Sequence, residues 1–373
     1  MKNALGIIFS DMTDWSMNEL ASHRSIAAIP FGGRYRLVDF PLSNMVNSGL
    51  SKICIITKSN YRSLMEHVGS GKDWDLSRKN GGILIFPPYA LGDNHGLFQG
   101  RLDALKRVLD YISSSKEKYV IMSDSDMIYN INYKDVLRFH EEKNSDITAV
   151  YTNIDIDKST SIHKIVYEFD SNGRADDILV YPVMNGKHNV GLNTWVMNKD
   201  FFESIIYDAI ARNYKDFSYD VLARKVHSLR IFGYEYKGYY AHIDSLQSYY
   251  NNSLGLLKED NLRKLFYSNT GPIFTKTKDS TPTKYCANAD VKNSLIASGC
   301  VIEGTVENSI LFRGVRIGKN AVVKNSIIMQ HTFIGENARL DSIITDTYVQ
   351  VTNDRVLLGY SNSPFFIKKH AVV

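Results

Sequence analysis

VKNSLI, beginning at Val291, returns as VENSIL at Val306, as VKNSII at Val323 and, degenerate, as LDSII at Leu340, with starts roughly 15, 17 and 17 residues apart. A second phase keeps the same rhythm: CVIEG around Ile302, VRIGKNA around Ile317 and FIGENA around Ile334. Single aliphatics set between small or polar residues, in coils of about 18 residues, are what a left-handed parallel β-helix requires. Each aliphatic points into a narrow triangular core, and Gly or Asn relieves each corner. Residues 286–373 therefore read as such a solenoid. With so few coils its ends are exposed, which predicts a cap or a partner and hence oligomerisation through this domain.

Upstream the pattern differs. Residues 1–257 alternate short apolar runs with helical periodicity, the signature of βαβ units and a Rossmann-like, mostly parallel mixed sheet. Strands are expected at Ala4 to Phe9, Lys52 to Thr57, Tyr119 to Met122 and Ile147 to Tyr151. Leu102, Leu105, Val108, Leu109 and Ile112 recur at helical spacing and place one apolar stripe on a helix, as does Asp200 to Arg212. Asn189 to Met197 and Arg230 to Ile243 read as aromatic strands of the mixed edge. Residues 258–285 hold Gly271, Pro272, Pro282 and several Ser and Thr without sustained periodicity, and read as an ordered interdomain linker.

Composition bounds the function. At 373 residues, 44% apolar and 23% charged, the chain is too long for one ordinary core and too apolar to be disordered. A net charge of +4 is too small for a nucleic-acid binder's bulk footprint, although a local phosphate-binding cluster stays open. Cys54, Cys286 and Cys300 form no CxxC or metal-ligand spacing, so neither a disulfide framework nor a zinc site is expected. The N-terminal MKNALGIIFSDMTD reads as a first strand and not a signal peptide, and no apolar run approaches the roughly 20 residues of a membrane span. A cytoplasmic protein without a membrane partner is expected.

IPFGGRYRLVDFPLSN, residues 29–44, is followed by VNSGLSKICIIT, the helix SNYRSLMEHVGSG, WDL at Trp74, QGRLDAL at Gln99 and GPIFT at Gly271. On these motifs and the C-terminal repeats the chain resembles the bacterial ADP-glucose pyrophosphorylases (glucose-1-phosphate adenylyltransferases), in order and over essentially its whole length. The resemblance implies a nucleotidyltransferase domain joined to a left-handed β-helix, a tetramer in glycogen biosynthesis, and the reaction of ATP with glucose 1-phosphate, with Mg²⁺, to ADP-glucose and pyrophosphate. Such chemistry needs a glycine-rich loop for the triphosphate, cations beside it, a pair of aspartates for the metal and a lysine for the sugar phosphate.

The chain departs from that pattern part by part. Where the family has GGxGTRL, it has Asp11, Met12, Thr13, Asp14 and Trp15, a carboxylate-bearing loop that would repel and exclude a triphosphate. RAKPA becomes Arg24 to Ala28 with Ile26 at the lysine, EKP becomes Val180–Tyr181–Pro182, and DFGKD becomes Asp216 to Asp220 with Tyr219 at the lysine. GTADA becomes GRLDA, keeping Gly100 and Asp103; Gly191 and Asp220 are also kept. Asp126 matches the first metal-binding aspartate, but the second falls on His242, a poor ligand for a cation that prefers hard oxygen donors. Asp244, two residues on, is the alternative displaced ligand. At about 2–4 kcal/mol of transition-state stabilisation per lost charged contact, several such losses abolish useful turnover. No intact catalytic residue, metal site or confidently bound cofactor is expected.

A scaffold kept with its site erased is similar to the family's non-catalytic, GlgD-type branch. The resemblance then implies a regulatory subunit that pairs with an active glucose-1-phosphate adenylyltransferase subunit, as a heterotetramer or alone as a homo-oligomer. A weakly active or altered-specificity nucleotidyltransferase and a free-standing sugar-phosphate sensor are the alternatives. Arg34, Arg36 and Arg316 match basic positions where allosteric members bind phosphorylated sugars; the rival reading is that they bridge the two domains. Trp15 and Tyr181 are read as packing residues of emptied pockets. His331 invites a comparison with hexapeptide-repeat acyltransferases, against the plainer reading of a solvated turn residue.

Overall fold

The computed structural model describes residues 3–10, 18–79, 81–88, 98–158 and 163–373. Among them the N-terminal part builds a nine-stranded sheet. β1 (Ala4–Phe9) is buried along its whole length because every residue between Ala4 and Phe9 is small or apolar, as a central parallel strand covered on both faces must be. A helix, α1 (Asn18–Ala21), and a hairpin of β2 (Pro30–Phe31) and β3 (Tyr35–Arg36) follow, the hairpin turning on Gly32 and Gly33, whose φ of +57° and +83° suit residues without a Cβ. α2 (Asp39–Asn47) leads to β4 (Lys52–Ile56), α3 (Arg62–Val68) to β5 (Gly82–Phe86), and α4 (Arg101–Ser113) to β6 (Tyr119–Asp124).

β1 lies between β4 and β6 and is parallel to both, and β4 is parallel to β5. Beyond β6 come β7 (Met127–Ile128), α5 (Tyr133–Glu142), β8 (Ile147–Ile156), β9 (Ile165–Phe169), β10 (Ala175–Val180) and β11 (Gly186–Asn198), the last running antiparallel to β6. The stripe on α4 that ends at Ile112 packs on one face of this sheet, with Phe202, Ile205 and Ile206 of the helix Lys199–Arg212. The aromatic run 230–243 is not one strand. It divides into β12 (Ile231–Glu235), which pairs with β8, and β13 (Ala241–His242), which pairs with β7. Tyr236 turns the chain between them, its hydroxyl donating to the carbonyls of Asn130 at 3.2 Å and Tyr239 at 3.0 Å.

The segment 258–285 also differs from a plain linker, because it opens with a helix, Glu259–Phe266. Its acids sit in the first turn and its bases in the last, with Glu259–Arg263 and Asp260–Lys264 pairs at four-residue spacing; Leu265 is buried and Phe266 stacks on Tyr35 at 4.9 Å. The helix is too short to declare a period. The rest lies along the first domain, tied by Asn47 to the Pro272 carbonyl, by Ser43 to the Phe274 amide and by Asp73 to the Thr277 amide.

The C-terminal domain is three five-stranded parallel sheets, the faces of a β-helix. The repeat read from sequence is its register: Val291 pairs with Val306, Val306 with Val323 and Val323 with Leu340, while Ile302, Ile317, Ile334 and Val351 stack in the second phase. Corners are left-handed at Asn293, Asn308, Asn325 and Ser342, and the Asn side chains hydrogen-bond from coil to coil. Ile310, Phe312, Ile327, Met329 and Ile344 do not line the solenoid's own core but join Ile29, Phe31, Phe40, Tyr249 and Leu256 of the first domain in one shared cluster. Across the same seam Arg24 pairs with Asp346 at 2.6 Å and Tyr250 donates to the Asn325 carbonyl at 2.6 Å.

One buried group sets a pH response. His140, 2% exposed, holds Thr148 through Nδ1 at 2.9 Å and burial pushes it down to about 4. Its folded value lies below its unfolded value of about 6.5. The stabilisation is therefore complete above pH 6.5 and is lost as pH falls towards 4, by at most about 3 kcal/mol. Urea unfolding at pH 7 and pH 4.5 should show this loss in the parent chain, and His140→Asn should flatten it; an unchanged slope would contradict the assignment.

Candidate functional site

Connections leave β1 on one side for β4 and β5 and return on the other at β6, which makes the β1–β6 boundary the topological switch point of the sheet. Open α/β sheets bind ligands beyond the carboxyl ends of their strands at such a point. Phe9 and Asp124, the last residues of β1 and β6, are register partners there. The phosphate-loop positions Asp11, Met12, Thr13, Asp14 and Trp15 lie outside the described residues.

Arg101, in the first turn of α4, reaches this end of the sheet. Its guanidinium makes a two-pronged ion pair with Asp124, from Nη2 and, at 3.3 Å, from Nε, and both residues are buried. It lies 5.8 Å from the Phe9 ring centre and 5.5 Å from that of Trp195, and it hydrogen-bonds Tyr181. Burial pushes the Asp124 carboxyl up to about 6 against the pull of Arg101. Tyr181 has a left-handed backbone, φ +56°, with its amide on the Lys164 carbonyl at 2.9 Å; its phenol turns inward, as a packing residue would.

The motif residues that the chain keeps make close local contacts. A Cβ on Gly100 would collide with the carbonyl oxygen of Lys215, and one on Gly191 would stand 2.7 Å from the Tyr167 ring. Asp103 accepts the Gln99 amide at 3.1 Å, and Asp220 accepts the amides of Lys215 and Asp216, both at 3.1 Å, fixing the loop that Gly100 meets. Tyr219 is more than half exposed.

β7 and β13 pair so that His242 sits opposite Met127, which brings together the two positions expected from the resemblance to match the family's metal aspartates: His242 Nε2 is 3.5 Å from Asp126 Oδ2. His242 Nδ1 is 3.5 Å from Asp244 Oδ2 and 3.3 Å from Lys164 Nζ, and Lys164 lies 3.9 Å from Asp244. The imidazole thus separates the two carboxylates that a displaced metal site would need on one side. Burial opposes the Asp244 charge, but His242, Lys164 and a hydrogen bond to Ser248 outweigh it and hold the carboxyl below its ordinary range. Desolvation lowers Lys164. A Mg²⁺ ion does not fit this set: one carboxylate oxygen, Asp126 Oδ1, is buried without a partner among the described residues, but an imidazole and an ammonium stand where further oxygen ligands should be. Among the described residues no group of three metal-ligating side chains converges. Arg101, Asp124 and Lys164 escaped sequence reading because each became a site residue only through long-range packing; the Thr-to-Arg change in GTADA was the one visible signal.

A second feature lies at the seam between the domains. A cavity of about 450 Å³ is lined by Arg34 and Arg36 from the hairpin and by Arg24, Lys276, Lys278 and Arg313. Arg316 lines an adjoining groove of about 500 Å³ that shares Lys278, Arg313 and His331 with it. Arg36 is held within the first domain, donating to the Ser63 carbonyl at 2.6 Å and hydroxyl at 2.8 Å, and burial lowers it to about 10. The interdomain ion pair belongs to Arg24 instead. Burial and the neighbouring Arg34 lower Arg313, and burial with Arg36, Arg313 and Lys276 lowers Lys278. His331 is a corner residue, φ +58°, stacked on Tyr348 at 5.1 Å, and Tyr348 stacks in turn on His370. Its place is in a ring ladder beside the cations.

Comparison with known proteins gives two matches to family models: nucleotidyl transferase over residues 17–259, and the GlmU-like C-terminal hexapeptide over residues 281–363. The chain is similar to glycogen biosynthesis protein GlgD of Bacillus subtilis (strain 168), 37% identical over 368 residues, 99% of this chain and 96% of that protein. GlgD of Geobacillus stearothermophilus is 40% identical over 323 residues, 86% and 82% of the two chains. A glucose-1-phosphate adenylyltransferase of Clostridium botulinum (strain Alaska E43 / Type E3) is 31% identical over 306 residues, 80% and 77%. No helix among the described residues is long and apolar enough to cross a membrane.

Proposed function

The chain belongs to the nucleotidyl transferase family, among bacterial glycogen biosynthesis proteins and glucose-1-phosphate adenylyltransferases, and from that premise we propose that it is a catalytically silent regulatory subunit. In this reading it works in the cytoplasm in glycogen synthesis, in a hetero-oligomer (a heterotetramer) with an active glucose-1-phosphate adenylyltransferase subunit. One observation carries it: the ligand end of the sheet is filled with the protein's own ion pairs, Arg101 with Asp124 and Lys164 with Asp244, His242 lying between Asp126 and Asp244. Binding a triphosphate, a sugar phosphate and Mg²⁺ would need the reverse, open cations and free carboxylates. The seam cavity supports the regulatory half of the proposal, because its crowded cations are suited to a sugar-phosphate effector.

The test is kinetic. The purified chain with ATP, glucose 1-phosphate and Mg²⁺ should form no ADP-glucose, and adding it to an active homologue should change that enzyme's kcat/KM or effector response. ADP-glucose at rates near the active homologue's would sink the silent-subunit reading; sugar-phosphate binding without any effect on the partner would favour the free-standing sensor. Tyr181→Lys should not create activity, since it restores one cation while His242 and Arg101 stay in place; measurable turnover from that single change would overturn the reading.

A further inference from the structure

Catalytic groups can be lost while a ligand crevice stays open, but among the described residues the protein's own side chains meet at the carboxyl ends of these strands. Phe9 and Asp124 mark the carboxyl ends of β1 and β6 at the switch point. Directly there, the Arg101 guanidinium meets segments from four parts of the chain: Phe9, Asp124, Tyr181 and Trp195. The start of α4, which would otherwise present amides to an anion, is covered too, since Leu102 N donates to the Lys215 carbonyl at 3.1 Å. A side-chain cation and a backbone carbonyl therefore stand where ligand groups would.

We infer that the Arg101–Asp124 pair is an internal plug that keeps this crevice closed to a nucleoside triphosphate. The inference rests on the silent-subunit reading and extends it: closure is a property of two side chains, separable from the missing catalytic groups. Arginine suits the task because its planar fork satisfies both carboxylate oxygens while its faces pack on rings. Removing Arg101 alone strands the Asp124 carboxylate, whereas removing both partners removes that stranded charge.

The experiment is ATP binding, with Mg²⁺, by calorimetry on the full chain and on the Arg101→Ala/Asp124→Ser double variant, with Arg101→Lys as a charge-retaining control and circular dichroism to confirm folding. The double variant should bind ATP at least tenfold more tightly than the parent, and Arg101→Lys should stay near the parent. A folded double variant whose affinity is within twofold of the parent's would refute the plug, as would a parent chain that already binds ATP at micromolar affinity; neither outcome reports on turnover, which the kinetic test reads separately. ADP-glucose formation by the parent would instead remove the reading on which the plug rests.

Discussion

Arg24→Ala should cost about 3–5 kcal/mol of stability, far more than removal of an exposed ion pair. Arg24 and Asp346 meet at 2.6 Å with side chains 6% and 2% exposed, so truncating the arginine leaves a carboxylate in a dry seam with its main counter-charge gone. Arg24 also donates to the Leu20 carbonyl at 3.2 Å, which would be left unpaired as well. The comparison that matters is a cycle. Asp346→Ala should cost a similar amount, and the double variant less than the sum, because the stranded charge is then absent. Since the pair joins the two domains, chemical unfolding of either single variant should show the domains separating more than in the parent, with the solenoid's own core (Ile302, Ile317, Ile334) surviving longer than the seam. A cost below 1 kcal/mol, or additive single effects, would show that the pair is not a buried hinge of the architecture.

The second large effect belongs to the seam cavity. Arg34, Lys276, Lys278 and Arg313 line one space, and the mutual repulsion of Lys278, Arg36, Arg313 and Lys276 is part of what lowers Lys278. An anion relieves that repulsion, so inorganic phosphate or a sugar phosphate should raise the melting temperature of the parent chain by mass action. Arg313→Ala should weaken that binding about 10- to 100-fold, the worth of one charge-assisted contact of about 1.5–3 kcal/mol. Without ligand, the same variant should lose little or no stability, because it removes a repelling neighbour and only a long, 3.5 Å bond to the Lys276 carbonyl. Arg36→Ala should behave oppositely: its bonds to Ser63 are internal, so stability falls even without ligand. Equal responses from the two variants, with and without phosphate, would contradict a cavity built for anions.

Much of this was legible in the chain. The starts at Val291, Val306, Val323 and Leu340 are the residues that stack, and the coil is 17 residues after a first coil of 15, close to the 18 that three hexapeptides imply. The central strands were equally plain, because a parallel strand buried on both faces is a continuous apolar run. Short or composite elements were not. The helix Glu259–Phe266 has too few turns to show a period, and the division of residues 230–243 into β12 and β13 depends on Tyr236 finding Asn130 across the fold.

The sequence by itself determined the architecture and its departures from the motifs of the family it resembles, because periodicity and residue type are local properties of the chain. It could not decide which side chains meet at the end of the sheet. That Arg101 finds Asp124, that Lys164 comes to His242 and Asp244, and that Arg24 joins Asp346 over 322 residues of chain are matters of three-dimensional convergence. The physical reason is the range of electrostatics. A charge acts through space, and in a buried site its nearest counter-charge is chosen by packing, which spacing along the chain does not encode. The same holds for the seam cavity, whose cations come from the hairpin, the segment before the solenoid and the solenoid itself, and which exists only once the repeats dock on the first domain.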